Sequence, residues 1–470
     1  MTNDYCIIGG GISGLYLAYR ILQREPRCKI ILLEKQSRFG GRIFTGMMKS
    51  NKTTASDKPN PNKDLVPVSA GAGRFSMHHR RFVKLIREFG FENDAVELSD
   101  KTTYHHINKT SGHQEKIQRI SQDKLYTLIQ QVVRGSKHMK KQELIDISFK
   151  ELALHILSKE DVQYIIDSFG YYSELVIMNA WDCLRLMGEL DVQKNRFYAL
   201  RGGYMGIIDE LVKRIRKLGG ICLAHAHVSD VYEVDISRSS MNTRDTKSHP
   251  QPLYCIEYDD GKTNRQIYSR KCIFALPTGI LAKFRMFRPL RGLLCESIVC
   301  APLCRIYATY AKTGNAKTGN ANAEVWFKGM DRITTNNRVR MIIPISEEDG
   351  VIMISYSDHH FADWWKSVYD KEGKRGLKRE IRTAVSEAMG MQIPDCIAIE
   401  MYHWTCGVGY WRVGVDSKKI SKQLVQPFRD VDQNSGIYIS NENIAVEGQQ
   451  WMEGSLEIAE NVLDLFHKNK

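Results

Sequence analysis

A mixed α/β fold centred on a parallel sheet is predicted by three features of this chain. Residues 5–34 pass from a short apolar strand through a glycine cluster into a helix, and on to a second apolar strand. Further β-like segments come at 221–234, 253–258, 266–275 and 436–440, so the sheet is assembled from stretches far apart in sequence. Between roughly residues 80 and 199 the apolar spacing turns helical, as in 82–89 and 124–133.

The first strand, 5–8, is continuously apolar, as a buried parallel strand is. Gly9 then permits a tight turn. Gly11, with Ile12 and Ser13 after it, lets a pyrophosphate approach the backbone at a helix N-terminus, and Gly14 lets that helix lie close on the sheet. The second strand, 30–33, ends at Glu34, twenty residues after Gly14, placed to accept hydrogen bonds from a ribose, with Lys35 beside it. Strand, glycines, helix, strand and acid in this order predict a dinucleotide site.

Five residues after Glu34 comes Gly40-Gly41-Arg42. A second glycine turn with an arginine suits another contact to the diphosphate, because guanidinium forks onto phosphate oxygens. This arrangement resembles the FAD-dependent amine oxidase superfamily, which includes monoamine, polyamine and L-amino acid oxidases. The resemblance implies a Rossmann-like FAD-binding domain of the glutathione-reductase-like type, a substrate domain of mixed sheet, and a helical subdomain. The expected division is 1–80, 200–285 and 430–470 for FAD, 81–199 for helices, and 286–429 for substrate.

The resemblance continues downstream. RGGYMG at 201–206, its helix over 206–218 and Val228 beyond look like the element whose backbone meets the adenine, and 272–277 looks like the turn that returns past the FAD. Near the C-terminus, 436–442 and 450–454 are similar to the family's closing motif. There Asn441 and Glu442 face the ribityl and diphosphate region, and Trp451 and Met452 open a helix whose dipole favours the charge of a reduced flavin. The turn AGAGRF at 70–75 is similar to that of L-amino acid oxidases, so Gly73 and Arg74 are expected at the flavin, with Arg74 pairing the substrate carboxylate. Residues 331–356 also read like an amino acid oxidase segment.

Composition excludes several classes. At 43% hydrophobic and 26% charged, the 470-residue chain is long enough for two or three packed domains. No apolar run spans a bilayer, and an early first strand leaves no room for a signal peptide, so a cytoplasmic protein is expected. Eleven scattered cysteines have no metal spacing and read as reduced thiols; no metal site is expected. The net charge of +13 fits an ordinary basic surface, or one that attracts polyanions. The oligomeric state stays open, a homodimer included.

Three departures from the family pattern bear on chemistry. Arg305 occupies the slot of a lysine that holds a water near flavin N5, and arginine does not deprotonate. The tyrosine that helps hold the carboxylate in amino acid oxidases falls among Met341, Ile342 and Ile343. The aromatic wall opposite Trp451 lands near Gly409, with Tyr410 and Trp411 next. The position of covalent flavin attachment in monoamine oxidases reads Val408, with Cys406 nearby, so the FAD is expected to be non-covalent. The expected activity is oxidation of an amine or L-amino acid by hydride transfer to flavin N5, with O2 as acceptor. Arg74, Arg305, Tyr410 and Trp451 are its expected active-site residues. Two alternatives stand: a polyamine or monoamine oxidase or other flavin oxidoreductase of this fold, and a flavin-binding protein whose active site has eroded.

Overall fold

The computed structural model describes residues 2–52, 64–108, 116–189, 196–234, 252–315, 320–432 and 435–468. Its first sheet runs in the order Ile221–Leu223, Ile30–Leu33, Thr2–Ile8, Asn264–Phe274, Tyr254–Asp259, His227–Glu233. Ile437–Ile439 adds to it, parallel to Asn264–Phe274 through Cys272, Ile273 and Phe274. The apolar runs at 5–8 and 30–33 are buried throughout, which explains their lack of alternation. Helix Ile12–Arg24 lies on this sheet, and helices Met205–Lys217 and Met452–Lys468 pack against that helix. The chain therefore returns to this sheet near its C-terminus, as the scattered β-like segments predict.

The second sheet is ordered Ala398–Trp411, Ile298–Thr309, Val351–Asp358, Met341–Ser346, Arg332–Thr335, Thr102–Asn108, Lys116–Ser121. The long helix His359–Met389, broken at Gly373, covers it and buries Trp365, Leu377 and Ile381. A separate helical core gathers Leu125, Leu128, Phe149, Leu152 and Ile165. Two of its helices start at serine caps; Ser148 forms a reciprocal capping box with Glu151.

Three local expectations differ from what is found. The stretch 81–199 is not helical throughout: Thr102–Asn108 and Lys116–Ser121 form a hairpin, and the first of these strands pairs parallel with Arg332–Thr335. The polar, Lys-, Asn- and Pro-rich stretch 46–66 reads in sequence as an exposed insertion, yet Thr45–Lys49 pairs with Leu65–Ser69 and buries Met48; residues 53–63 lie outside the described ones. The near-repeat AKTGNAKTGNANA at 311–323 reads in sequence as a low-complexity loop, yet a small ladder joins Thr313–Asn315 and Asn320–Glu324. Among the described residues, no helix is long and apolar enough to cross a membrane, and no cluster of His, Cys, Asp or Glu has metal-site geometry.

Candidate active site

The glycine loop is built by close contacts. Gly9 has φ +111°, and a Cβ there would come within 2.5 Å of the Ala275 carbonyl oxygen. At Gly14 a Cβ would come within 2.2 Å of the Gly9 oxygen, so only glycine lets the helix sit this near the strand. At Gly11 a Cβ would meet nothing within 4 Å. That open side faces a cavity of about 730 Å³. Glu34 borders the same space: its Oε2 accepts from Gly10 N–H at 2.7 Å and its Oε1 from Gln36 N–H at 2.8 Å.

This one cavity brings together residues from all along the chain. Gly9, Gly11, Ile12, Ser13, Glu34, Lys35, Gly41, Arg42, Gly73, Arg74, Val228, Arg305, Tyr410, Asn441, Glu442, Trp451 and Met452 all line it. Gly14 does not; it acts one layer behind, in helix packing. Several of these side chains are already engaged with one another. The Ser13 hydroxyl meets Ser440, and Asn441 donates to the Leu276 carbonyl at 2.7 Å. Glu442 accepts from Arg42 at 2.5 Å, Asn443 at 3.0 Å, Gln450 N–H at 3.2 Å and Gly409 N–H at 3.3 Å. Arg42 also donates to the Gly407 carbonyl. These bonds tie the first glycine turns to the C-terminal segment.

The other end of the cavity is aromatic and cationic. Trp451 stacks on Phe197 with ring centroids 5.7 Å apart. The Arg74 guanidinium lies 4.6 Å from the Phe197 ring centre and 5.3 Å from that of Trp451. It reaches the Tyr171 hydroxyl at 3.4 Å, and among the described residues it has no ion pair with an acid. Arg305 is held in place: it donates to the Ser69 carbonyl at 2.8 Å and to the Tyr356 hydroxyl at 3.1 Å, and its Nε has no partner. Of the three wall candidates, Tyr410 lines the cavity, while Trp411 turns into the core and donates to the Ala445 carbonyl. Gly409 leaves no space, since a Cβ would come within 2.4 Å of Asn443.

A family description of flavin-containing amine oxidoreductases matches residues 12–459. The chain belongs to this family. The fold is similar to that of putrescine oxidase. A double mutant with redesigned cofactor binding superposes with a TM-score of 0.70 at 14% identity, covering 99% of both chains. The wild type bound to putrescine gives 0.68 at 13% identity, again with 99% of both chains covered. Among curated proteins, an uncharacterised protein of Acanthamoeba polyphaga mimivirus is 45% identical over 40 residues, which spans 8% of either chain.

This flavin amine oxidoreductase has site residues that sequence reading missed. Tyr171, Glu174, Tyr356 and Trp404 line the cavity alongside the expected residues. A tyrosine does stand beside Arg74, but it is Tyr171, from the helical block rather than from 341–343. Its signal was weak: a Gly-Tyr-Tyr turn between two helices. Cys406 also lines the cavity, and it is bonded to Cys300. The expectation of uniformly reduced thiols is corrected at this pair, which lies on two neighbouring strands where their register shifts between Ala301 and Leu303.

Proposed function

We infer that this oxidoreductase binds FAD non-covalently and oxidises an amine or L-amino acid. A flavin held here would supply the two-electron oxidation of an amine carbon to an imine, whose hydrolysis gives a keto acid or aldehyde and ammonia, with O2 as the final electron acceptor reduced to H2O2. The glycine loop, Glu34, Arg42 and Val228 fit the dinucleotide; the open side of Gly11 and the cavity it faces are the features that admit it. Cys406 has its sulfur committed to Cys300, which supports the non-covalent reading.

The chain's own part is binding, orientation and charge. Arg74 carries the reading: a guanidinium that among the described residues has no ion pair with an acid, lying against the Phe197 and Trp451 rings, suits a substrate carboxylate, with the Tyr171 hydroxyl beside it. Trp451 and Tyr410 wall the substrate, and the buried ring surfaces exclude water from the reacting carbon. Arg305, locked to Ser69 and Tyr356, fixes positive charge where a lysine would have held a water. That locked arginine favours a second reading, a flavin-binding protein without turnover. Anaerobic addition of a panel of L-amino acids and amines to the yellow protein separates the two. Bleaching of the visible band by a panel member is expected, and a yellow protein that nothing bleaches assigns the second reading.

A further inference from the structure

Among the described residues the buried acids are matched by donors, with one exception. Glu34, Glu442 and Glu453 each have both carboxylate oxygens hydrogen-bonded. Glu174 is as buried, at 6% exposure, yet its Oε2 has no partner. It stands on the short helix Tyr172–Val176, which is pinned at its start by Asp358. The Asp358 carboxylate accepts from Tyr172 N–H at 3.0 Å and from Ser173 N–H at 2.7 Å. So the position of Glu174 is set by a strand of the second sheet, and its side chain borders the cavity shared by Arg74, Tyr171, Tyr410 and Trp451.

An acid in this setting is matched by a ligand that brings positive charge and N–H donors. Burial pushes the Glu174 carboxyl up to about 8, with the charge of Asp358 adding and that of Arg74 opposing. We propose that Glu174 holds a second, protonated nitrogen of the substrate, remote from the oxidised carbon, so that the site selects amino acids with a cationic side chain. This rests on the reading that the substrate is an amine or amino acid. The nitrogen on the oxidised carbon is the wrong partner: hydride leaves a carbon whose nitrogen lone pair is free, and a carboxylate on that nitrogen would hold its proton in place. A remote ammonium brings no such conflict. Arg74 and Glu174 then read the two charged ends of one molecule.

The test compares affinity, by calorimetry, and turnover of the flavin-loaded protein for three compounds. L-Lysine has both ends; L-norleucine has the chain without the ε-ammonium; cadaverine has two nitrogens and no carboxylate. L-Lysine is expected to bind tenfold or more tighter than L-norleucine, and Glu174→Gln to cut that ratio at least tenfold. Equal affinity of the wild type for lysine and norleucine overturns the proposal, as does a folded Glu174→Gln protein that keeps the ratio. The wild-type comparison needs no variant, so a misfolded substitution leaves the test intact. Cadaverine bound as tightly as lysine upholds the role of Glu174 and removes the carboxylate role of Arg74. Failure of all three to bleach the flavin counts against the oxidation reading, while the affinities still decide the role of Glu174.

Discussion

Arg42 and Glu442 lie 400 residues apart in sequence and form an ion pair of 2.5 Å on the wall of the large cavity. Glu442 is almost wholly buried, whereas Arg42 keeps part of its surface exposed. Removing the cation leaves a buried carboxylate with three weaker donors. Arg42→Met is therefore expected to destabilise the protein by about 2–3 kcal/mol, below the roughly 3–5 kcal/mol of a fully buried pair because Arg42 is partly solvated. Urea unfolding with and without FAD checks this, and Glu442→Gln, whose amide nitrogen would have to face N–H donors that now bond a carboxylate oxygen, is expected to lose a similar amount.

Gly9 and Gly11 of the first loop should fail in different ways. Gly9→Ala places a Cβ against a backbone oxygen at positive φ and is expected to cost about 3 kcal/mol or more. Gly11→Ala has free space and an ordinary extended backbone, so the apoprotein should unfold within about 0.5 kcal/mol of wild type. Its methyl group enters the cofactor cavity, however, and FAD affinity should fall tenfold or more. Equilibrium dialysis of FAD against both variants, beside their unfolding curves, separates the two effects.

Arg74 should sort substrates by their carboxylates. Arg74→Met is expected to raise the KM of amino acids by a hundredfold or more relative to that of the matching amines, measured as the ratio of the two under identical conditions. An unchanged ratio would remove Arg74 from carboxylate recognition.

Glu174 should leave a mark on the pH dependence of both stability and binding. Its folded-state carboxyl titrates near 8, well above the usual carboxylate range, because of burial first and Asp358 second. Between about pH 4 and 8 the native state then binds more protons at this site than the unfolded chain, so its contribution to stability falls as pH rises through that window. Arg74, Asp358, Cys183, Tyr171 and Tyr410 face the same carboxyl, and His79, lowered to about 4 by burial and then by Arg74 and His78, acts in the opposite sense below its ordinary value. The difference between wild type and Glu174→Gln isolates the term. Below about pH 8, binding of L-lysine should also release a proton, seen as a buffer-dependent heat that L-norleucine does not give.

The Cys300–Cys406 link closes a loop across 106 residues. The chain-entropy account assigns such a loop about 4–5 kcal/mol, of which engineered breaks usually lose less. Cys300→Ser is expected to cost about 2–4 kcal/mol. Thiol titration of the denatured protein should find nine thiols without reductant and eleven with it.

Much of the cofactor end was legible in sequence because its geometry is local. A turn at Gly9, an approach at Gly11 and a tight helix at Gly14 each need one residue type at one spacing, and Glu34 follows at a fixed distance along the strand. Arg42 and Glu442 were also readable, although their mutual pairing was not. The substrate end was less legible, for a physical reason. Glu174 looks like any acid in the first turn of a helix, and its burial comes from Asp358, a partner 185 residues from Ser173. Tyr171 and Tyr356 meet ring to ring at 5.4 Å only after the helical core docks on the second sheet. The Cys300–Cys406 link likewise depends on how two strands align, and spacing along the chain does not report that.

The Ser13–Ser440 contact and the Ile437–Ile439 strand make the flavin cleft a product of both ends of the polypeptide. The glycine loop is thus made well before the residues that close the cavity against it. A protein shortened before residue 437 is expected to lose FAD binding, because it lacks that strand and the cavity-lining Glu442, Trp451 and Met452.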